Sequence, residues 1–185
     1  MKLHIVISST RPGRLGGHIG QWFYENAKHH NGFEARLVDL AEVNLPFLDE
    51  PEHPSTGRYV HEHSRQWSSL VDEADAFVFV TPEYNYGMPA SLKNALDFLY
   101  HEWSHKPVGF VSYGGVSAGT RGVQMTKQVV TTLRMYPIGA TVAIPTRQYV
   151  ENGELRADQA LNDSAASMLA ELAIVSAAMA PMRAA

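Results

Sequence analysis

Hydrophobic residues along this chain fall into compact runs and spaced stripes, and the two patterns alternate. Leu3–Ile7, Phe33–Leu40, Phe77–Val80, Pro107–Ser112 and Ala140–Ile144 are short runs rich in β-branched and aromatic side chains, which predicts five strands. Between them, apolar residues return every third or fourth position. Ile19, Phe23 and Ala27 predict a helix over His18–His29; Val60, Trp67, Leu70 and Val71 predict one over Tyr59–Glu73. Leu92, Ala95, Leu96 and Leu99 predict a helix over Ala90–Trp103, and another is expected over Gly119–Met135. An alanine-rich stripe carrying Leu161, Met168, Leu169, Leu172 and Val175 predicts a closing helix from Asp158 to Met179. Asn44–Gly57, with Pro46, Pro51 and Pro54, and Pro145–Leu155 read as irregular connections. Strand–helix alternation of this kind predicts an α/β fold: a doubly wound parallel sheet, in a single domain over residues 1–185.

The most telling junction is Thr81–Asp97. It follows the unbroken apolar run Ala76–Val80, which reads as a strand buried on both faces. The chain turns through Pro82, Asn85 and Gly87, and Pro89 stands where a first helical residue belongs. A polar, aromatic loop therefore sits at the carboxyl end of a central strand, where open α/β sheets bind ligands.

Composition narrows the possibilities. A chain of 185 residues can bury about 70% of its unfolded surface without a metal or disulfide staple. It has no cysteine, which removes disulfide scaffolds, thiolate zinc sites, iron–sulfur clusters and thiol catalysis together. Net charge is 15 − 19 = −4 with no long basic run, which argues against a nucleic-acid partner. The apolar core of the amino terminus is too short for a signal peptide, and no apolar stretch approaches the roughly 20 residues of a membrane span. A cytoplasmic chain without a membrane partner is expected.

Two further loops carry unusual chemistry. Ser8–Gly17 holds the hydroxyls of Ser8, Ser9 and Thr10, the cations Arg11 and Arg14, and Gly13, Gly16 and Gly17, just before a helix start. Backbone amides at a helix start, hydroxyl donors and guanidinium groups together make a phosphate site. Neither G-x-x-x-x-G-K-[ST] nor G-x-G-x-x-G is present, which points to a mononucleotide such as FMN. Ser112–Gly119 is glycine-rich and runs into the helix expected at Gly119, whose amides would face a ring. In the second loop, Tyr84 and Tyr86 offer flat faces and Asn85 a hydrogen-bonding edge.

The segment Pro82–Asp97, P-E-Y-N-Y-G-M-P-A-S-L-K-N-A-L-D, and the loop S-Y-G-G-V-S-A-G over Ser112–Gly119 resemble the NADPH-dependent FMN reductase family of flavodoxin-like proteins, which includes quinone, chromate and azo-dye reductases. The resemblance covers roughly Leu3–Ile144 in order and spacing. In the first loop the family pattern G-S-x-R-x-x-S-x-N is kept at Ser9 and Arg11, while Ser8, Arg14 and Gly16 depart from it. The resemblance implies a five-stranded sheet of order 2-1-3-4-5 with helices on both faces. It implies FMN at the switch point between strands one and three, its phosphate on the loop carrying Ser9, Thr10, Arg11, Arg14 and Gly16. It places Pro82, Glu83, Tyr84 and Asn85 on one side of the ring and Ser112, Tyr113, Gly114, Gly115 and Ser117 on the other. NADPH or NADH would reduce the flavin and leave, and a small-molecule electron acceptor would take its place. No side chain need act as acid or base. Arg58, Arg121 and Arg147 could each meet a 2′-phosphate. A homodimer or homotetramer is implied, built on the Ala90–Trp103 helix, whose Leu99 and Trp103 are expected to face outward.

Other readings of the same letters carry less. Gly115-Val116-Ser117-Ala118-Gly119 matches the nucleophile elbow G-x-S-x-G, but no histidine follows His105 to complete a hydrolase triad in order. His61-x-His63 and His101-x-x-x-His105 have ligand-like spacing without a third partner, the latter pair expected on one helix face. Two alternatives share the fold: a flavodoxin-type one-electron carrier, against which the loop arginines and the modest net charge count, and a flavin-free regulatory protein.

Overall fold

A computed structural model describes residues 1–183. Strands β1 (Lys2–Ile7), β2 (Glu34–Asp39), β3 (Ala76–Pro82), β4 (Pro107–Gly114) and β5 (Tyr136–Pro145) form a parallel sheet of order β2-β1-β3-β4-β5, as expected. All of β3 is buried, and its side chains divide by parity. Phe77 and Phe79 join Trp67, Leu92, Leu96, Trp103 and Val123 beneath α3 (Glu62–Asp72), α4 (Ala90–Asp97) and α5 (Thr120–Thr132). Ala76, Val78 and Val80 join Ile19, Phe23, Leu161, Met168 and Leu172 beneath α1 (Gly16–Lys28) and α7 (Gln159–Arg183). An aromatic and β-branched run can serve both cores at once only as a central strand, which is why it shows no polar alternation.

Several boundaries differ from expectation for identifiable reasons. The helix expected from Tyr59 begins at Glu62, because the Glu50 carboxylate accepts the amides of Val60 (2.9 Å) and His61 (3.0 Å) and holds them extended. The helix expected to reach Trp103 stops at Asp97; Tyr100 leaves helical geometry and His101–Trp103 forms a separate 3₁₀ turn. His105 has φ +61°, so His101 and His105 do not share a helix face. Leu99 and Trp103, expected to face outward, are each 1% exposed. The Trp103 ring lies 5.1 Å from Phe77 and its Nε1 donates to Leu96 O at 3.2 Å, so this apolar surface is spent on the chain's own core.

The stretch expected to be irregular contains a short helix, α6 (Thr146–Tyr149), and a hairpin, β6 (Val150–Glu151) with β7 (Glu154–Leu155). Its turn is Asn152-Gly153, with φ of +51° and +82°. A smaller helix, α2 (Leu40–Val43), follows β2. Helix α7 is long and apolar enough to cross a membrane by length and composition, contrary to expectation. Its Leu161, Ala165, Met168, Leu169 and Leu172 are buried in the core it shares with α1 and the sheet.

His4 in β1 is 2% exposed, edge-on to Phe77, with Nε2 3.3 Å from Glu73. Burial, only partly offset by the Glu73 carboxylate, pulls its pKa from 6.5 to about 4. The unfolded chain therefore binds a proton between these values that the folded chain refuses. Stability is full above pH 6.5 and falls as pH drops toward 4, by on the order of 3 kcal/mol from this group. Urea unfolding at pH 4.5 and 7 should show this slope in the wild type and a flatter one in His4→Gln.

Candidate functional site

The sheet's carboxyl edge is where β1 and β3 part. Ser8 donates both its amide (3.0 Å) and its hydroxyl (2.9 Å) to Val80 O. Beyond it the first loop crosses to α1. That helix begins at Gly16; its N-cap position, Leu15, makes no side-chain cap hydrogen bond, and no acidic residue lies in its first turn. Such a start leaves amides and positive potential open to an anion. Thr10 and Arg11 are exposed, and Arg11 makes no ion pair among the described residues. Arg14, also expected at a phosphate, is instead paired with Asp39 at the end of β2, and Asp39 also caps α2 by accepting from Ala41 N at 2.9 Å. This guanidinium braces the loop against the sheet.

Ser9 is fully buried, and its Oγ accepts from the Tyr113 hydroxyl at 3.0 Å. Tyr113 is 5% exposed, and burial pushes its phenol up to about 12. Expected beside a ring, Tyr113 points into the core and props the first loop from below. Gly16 explains itself in the same contact: a Cβ there would stand 2.3 Å from Ser9 Oγ and 2.8 Å from the Tyr113 hydroxyl. Ser9, Tyr113 and Gly16 thus form a packed support rather than an open binding surface.

The second loop is a two-residue hairpin. Tyr84 and Gly87 exchange backbone hydrogen bonds of 3.0 and 2.9 Å, and Asn85 and Tyr86 have φ of +50° and +69°. Positive φ is uncommon for a bulky residue such as Tyr86. The turn is held because the Arg121 guanidinium lies 3.9 Å over the Tyr86 ring. Tyr84 is 41% exposed, and Asn85 is exposed beside it. Pro82 is buried.

The third loop is pinned at both ends. Ser112 Oγ donates to Ala118 O at 2.9 Å, and Thr146 Oγ1 donates to Gly114 O at 3.0 Å. Ser112 therefore faces inward. A Cβ on Gly114 would meet Gly119 N at 3.0 Å, whereas one on Gly115 would meet nothing within 4 Å. Gly114 is required by the loop's own backbone, and Gly115 is the glycine that faces open space. The amides of Arg121 and Gly122, expected to face a ring, are taken by the Glu83 carboxylate at 3.0 and 3.4 Å. Ser117 Oγ donates to the same carboxylate at 2.7 Å.

The expected residues thus separate into two groups. Thr10, Arg11, Tyr84, Asn85 and Gly115 remain exposed at the edge. Ser9, Arg14, Gly16, Pro82, Glu83, Ser112, Tyr113, Gly114 and Ser117 are engaged in building it. Residues that sequence reasoning missed, Asp39, Ser91 and Thr146, reach the site's loops through partners 25 to 83 positions away. A cleft of about 540 Å³ adjoins the first loop at Thr10 and runs between α2 and α4, lined by Leu40, Leu45, Pro46, Phe47, Asn94 and Ala95.

A parallel sheet of this order, with an uncapped helix start and two ring-sized loops at its β1/β3 crevice, defines a flavodoxin-like mononucleotide-binding protein. The family model for NADPH-dependent FMN reductase matches residues 1–148, and the chain belongs to that family. It is an oxidoreductase that uses FMN with a reduced nicotinamide nucleotide. A Schizosaccharomyces pombe NAD(P)H-dependent FMN reductase is 45% identical over 136 residues, covering 72% of this chain and 68% of its own. The Saccharomyces cerevisiae NAD(P)H-dependent FMN reductase LOT6 is 36% identical over 157 residues, covering 78% and 82%. The fold is similar to that of FerB, a flavoenzyme NAD(P)H:(acceptor) oxidoreductase from Paracoccus denitrificans, with a TM-score of 0.73 at 18% identity, covering 92% of this chain and 96% of FerB.

The two loop arginines should separate on mutation. Arg11→Ala should weaken FMN roughly tenfold to a hundredfold and leave riboflavin unchanged, because a charge-assisted contact of about 1.5–3 kcal/mol is lost at the phosphate alone. Arg14→Ala should lower thermal stability and change the two affinities by the same small factor. Fluorescence titration with both flavins, alongside thermal melts, reads both outcomes.

Proposed function

We propose that the first loop and the start of α1 hold the FMN phosphate through Thr10, Arg11 and free backbone amides, and that the isoalloxazine ring lies between the second and third loops against Tyr84, Asn85 and Gly115. The observation that carries this reading is the uncapped, acid-free start of α1 beside Arg11, which has no ion-pair partner among the described residues. The bound flavin supplies hydride acceptance from a reduced nicotinamide and electron donation to an acceptor. The protein's part is to fix the ring, exclude water from its protein side and leave one face open. Tyr84, Tyr86 at 70% exposed and Val116 at 92% exposed rim that opening. Such a rim suits flat acceptors: quinones, azo and nitro compounds or a second flavin, with metal oxyanions small enough to reach the same face. Nicotinamide and acceptor share the opening in turn, so the cycle is ping-pong. The setting that goes with this chemistry is cytoplasmic.

The three arginines considered for a 2′-phosphate are no longer equivalent. Arg58 is paired with Glu52 and Arg121 with Glu83, while Arg147 is exposed and has no partner among the described residues. It follows Thr146, which bonds the third loop, so we assign NADPH preference to Arg147. Initial rates with NADPH and a quinone should give parallel double-reciprocal lines, and Arg147→Gln should raise the KM for NADPH without raising that for NADH. Intersecting lines would refute the shared opening.

We also infer a homodimer that uses the first half of the expected helix, α4, together with the Pro46–Leu48 segment, rather than the buried Leu99 and Trp103. Asn94 grips the Pro46–Leu48 segment from both sides, donating to Pro46 O at 2.7 Å and accepting from Leu48 N at 3.0 Å. This holds Phe47 outward at 85% exposed, beside the apolar cleft. A rigid aromatic knob next to a hole is self-complementary about a two-fold axis. Sedimentation should show a dimer at micromolar concentration, and Phe47→Asp should release monomer without lowering the melting temperature of the isolated chain by more than a few degrees.

A further inference from the structure

We propose that Glu83 is a positioning residue: its carboxylate latches the second loop to the start of α5 and thereby sets the slot between the two ring loops, without touching the flavin. The inference rests on the flavin reading of those loops. Oε2 accepts from Ser117 Oγ (2.7 Å), Arg121 N (3.0 Å) and Gly122 N (3.4 Å), and Oε1 lies 2.9 Å from Arg121 Nε. The side chain is only 9% exposed. Oε2 is fully subscribed, and the whole group faces protein.

Helix α5 shows why the carboxylate is needed. Its cap position is Gly119, which has no side chain to offer, and its first turn holds no acidic residue. The orphan amides of that turn are satisfied from 38 and 39 positions upstream. Arg121 then works on both sides: its guanidinium forms an ion pair with Glu83, although Nε makes no hydrogen bond there, and its plane supports Tyr86 in the positive-φ turn. One carboxylate thus joins the second loop, the third loop through Ser117, and the helix behind both. Burial alone would raise its pKa, but Ser117, the Gly122 amide and the Arg121 charge and amide outweigh burial and hold it below the ordinary glutamate range. The latch is therefore charged and closed throughout the neutral range.

Flavin titrations of wild type, Glu83→Gln, Arg121→Gln and the double variant, each with FMN and with riboflavin, test this. Each single variant should weaken both flavins by the same factor, roughly tenfold, mainly through faster release. The visible circular dichroism of bound flavin should change, since the ring's surroundings widen. The double variant should be no worse than Glu83→Gln, because both changes open one latch. A loss confined to FMN, or additive losses in the double variant, would overturn the proposal by giving the residues separate contacts. Should Glu83→Gln fail to fold, Arg121→Gln and Ser117→Ala carry the same comparison. Wild-type protein that binds neither flavin overturns the flavin reading and the latch with it; wild-type binding with unaltered variants overturns the latch alone.

Discussion

The carboxyl edge of the sheet hangs on the bond between Ser8 and Val80. β1 and β3 run side by side from Leu3 opposite Ala76 to Ile7 opposite Val80, and then must separate. Ser8 closes the ladder with its amide and repeats the contact with its hydroxyl, both on the same carbonyl. Its own carbonyl takes the hydroxyl of Ser91 at the start of α4. The residue is fully buried, so these bonds compete with no water. One chain then crosses to α1 on one face and the other to α4 on the opposite face. The crevice between them is the geometric result, and the first loop and the aromatic hairpin are its two lips.

Around that crevice, each charge has been assigned by its neighbours. Arg14 lies within reach of Asp39 and becomes a brace; Arg121 lies within reach of Glu83 and becomes part of the loop's frame. Arg11 has no carboxylate partner among the described residues, so its charge stays uncompensated there. A cation already neutralised contributes little to drawing in an anion, whereas an unpaired one at a helix start adds to the field of the amides. The same residue type in the same loop therefore serves two ends.

Much of the architecture was legible in the sequence because it depends on local period. Phe77 and Phe79 within an all-apolar run fix β3 as central, and a chain that alternates such runs with helical stripes has few arrangements open to it. The loops' place at the strand ends followed from the same reading. Individual roles did not, because they depend on contacts remote in sequence. Tyr113 reaches Ser9 across 104 positions, and Glu83 reaches α5 across 38. Period also misled at Leu99 and Trp103: their spacing continues the α4 stripe, but the helix stops at Asp97, and the 3₁₀ turn swings Trp103 onto Phe77. At Asn152-Gly153 the signal was present in the letters, since Asn-Gly is the strongest short hairpin pair, and the irregular reading passed over it.

Val116 stands at the tip of the third loop with 92% of its surface exposed, in a chain that contains no cysteine. A single thiol placed there by Val116→Cys would be unique in the molecule, so a fluorophore could be attached in one step without any further substitution. If the proposed ring site beside this loop is right, the fluorophore's environment would change with each occupant, turning the loop tip into an optical reporter for arrivals and departures that turnover measurements average away.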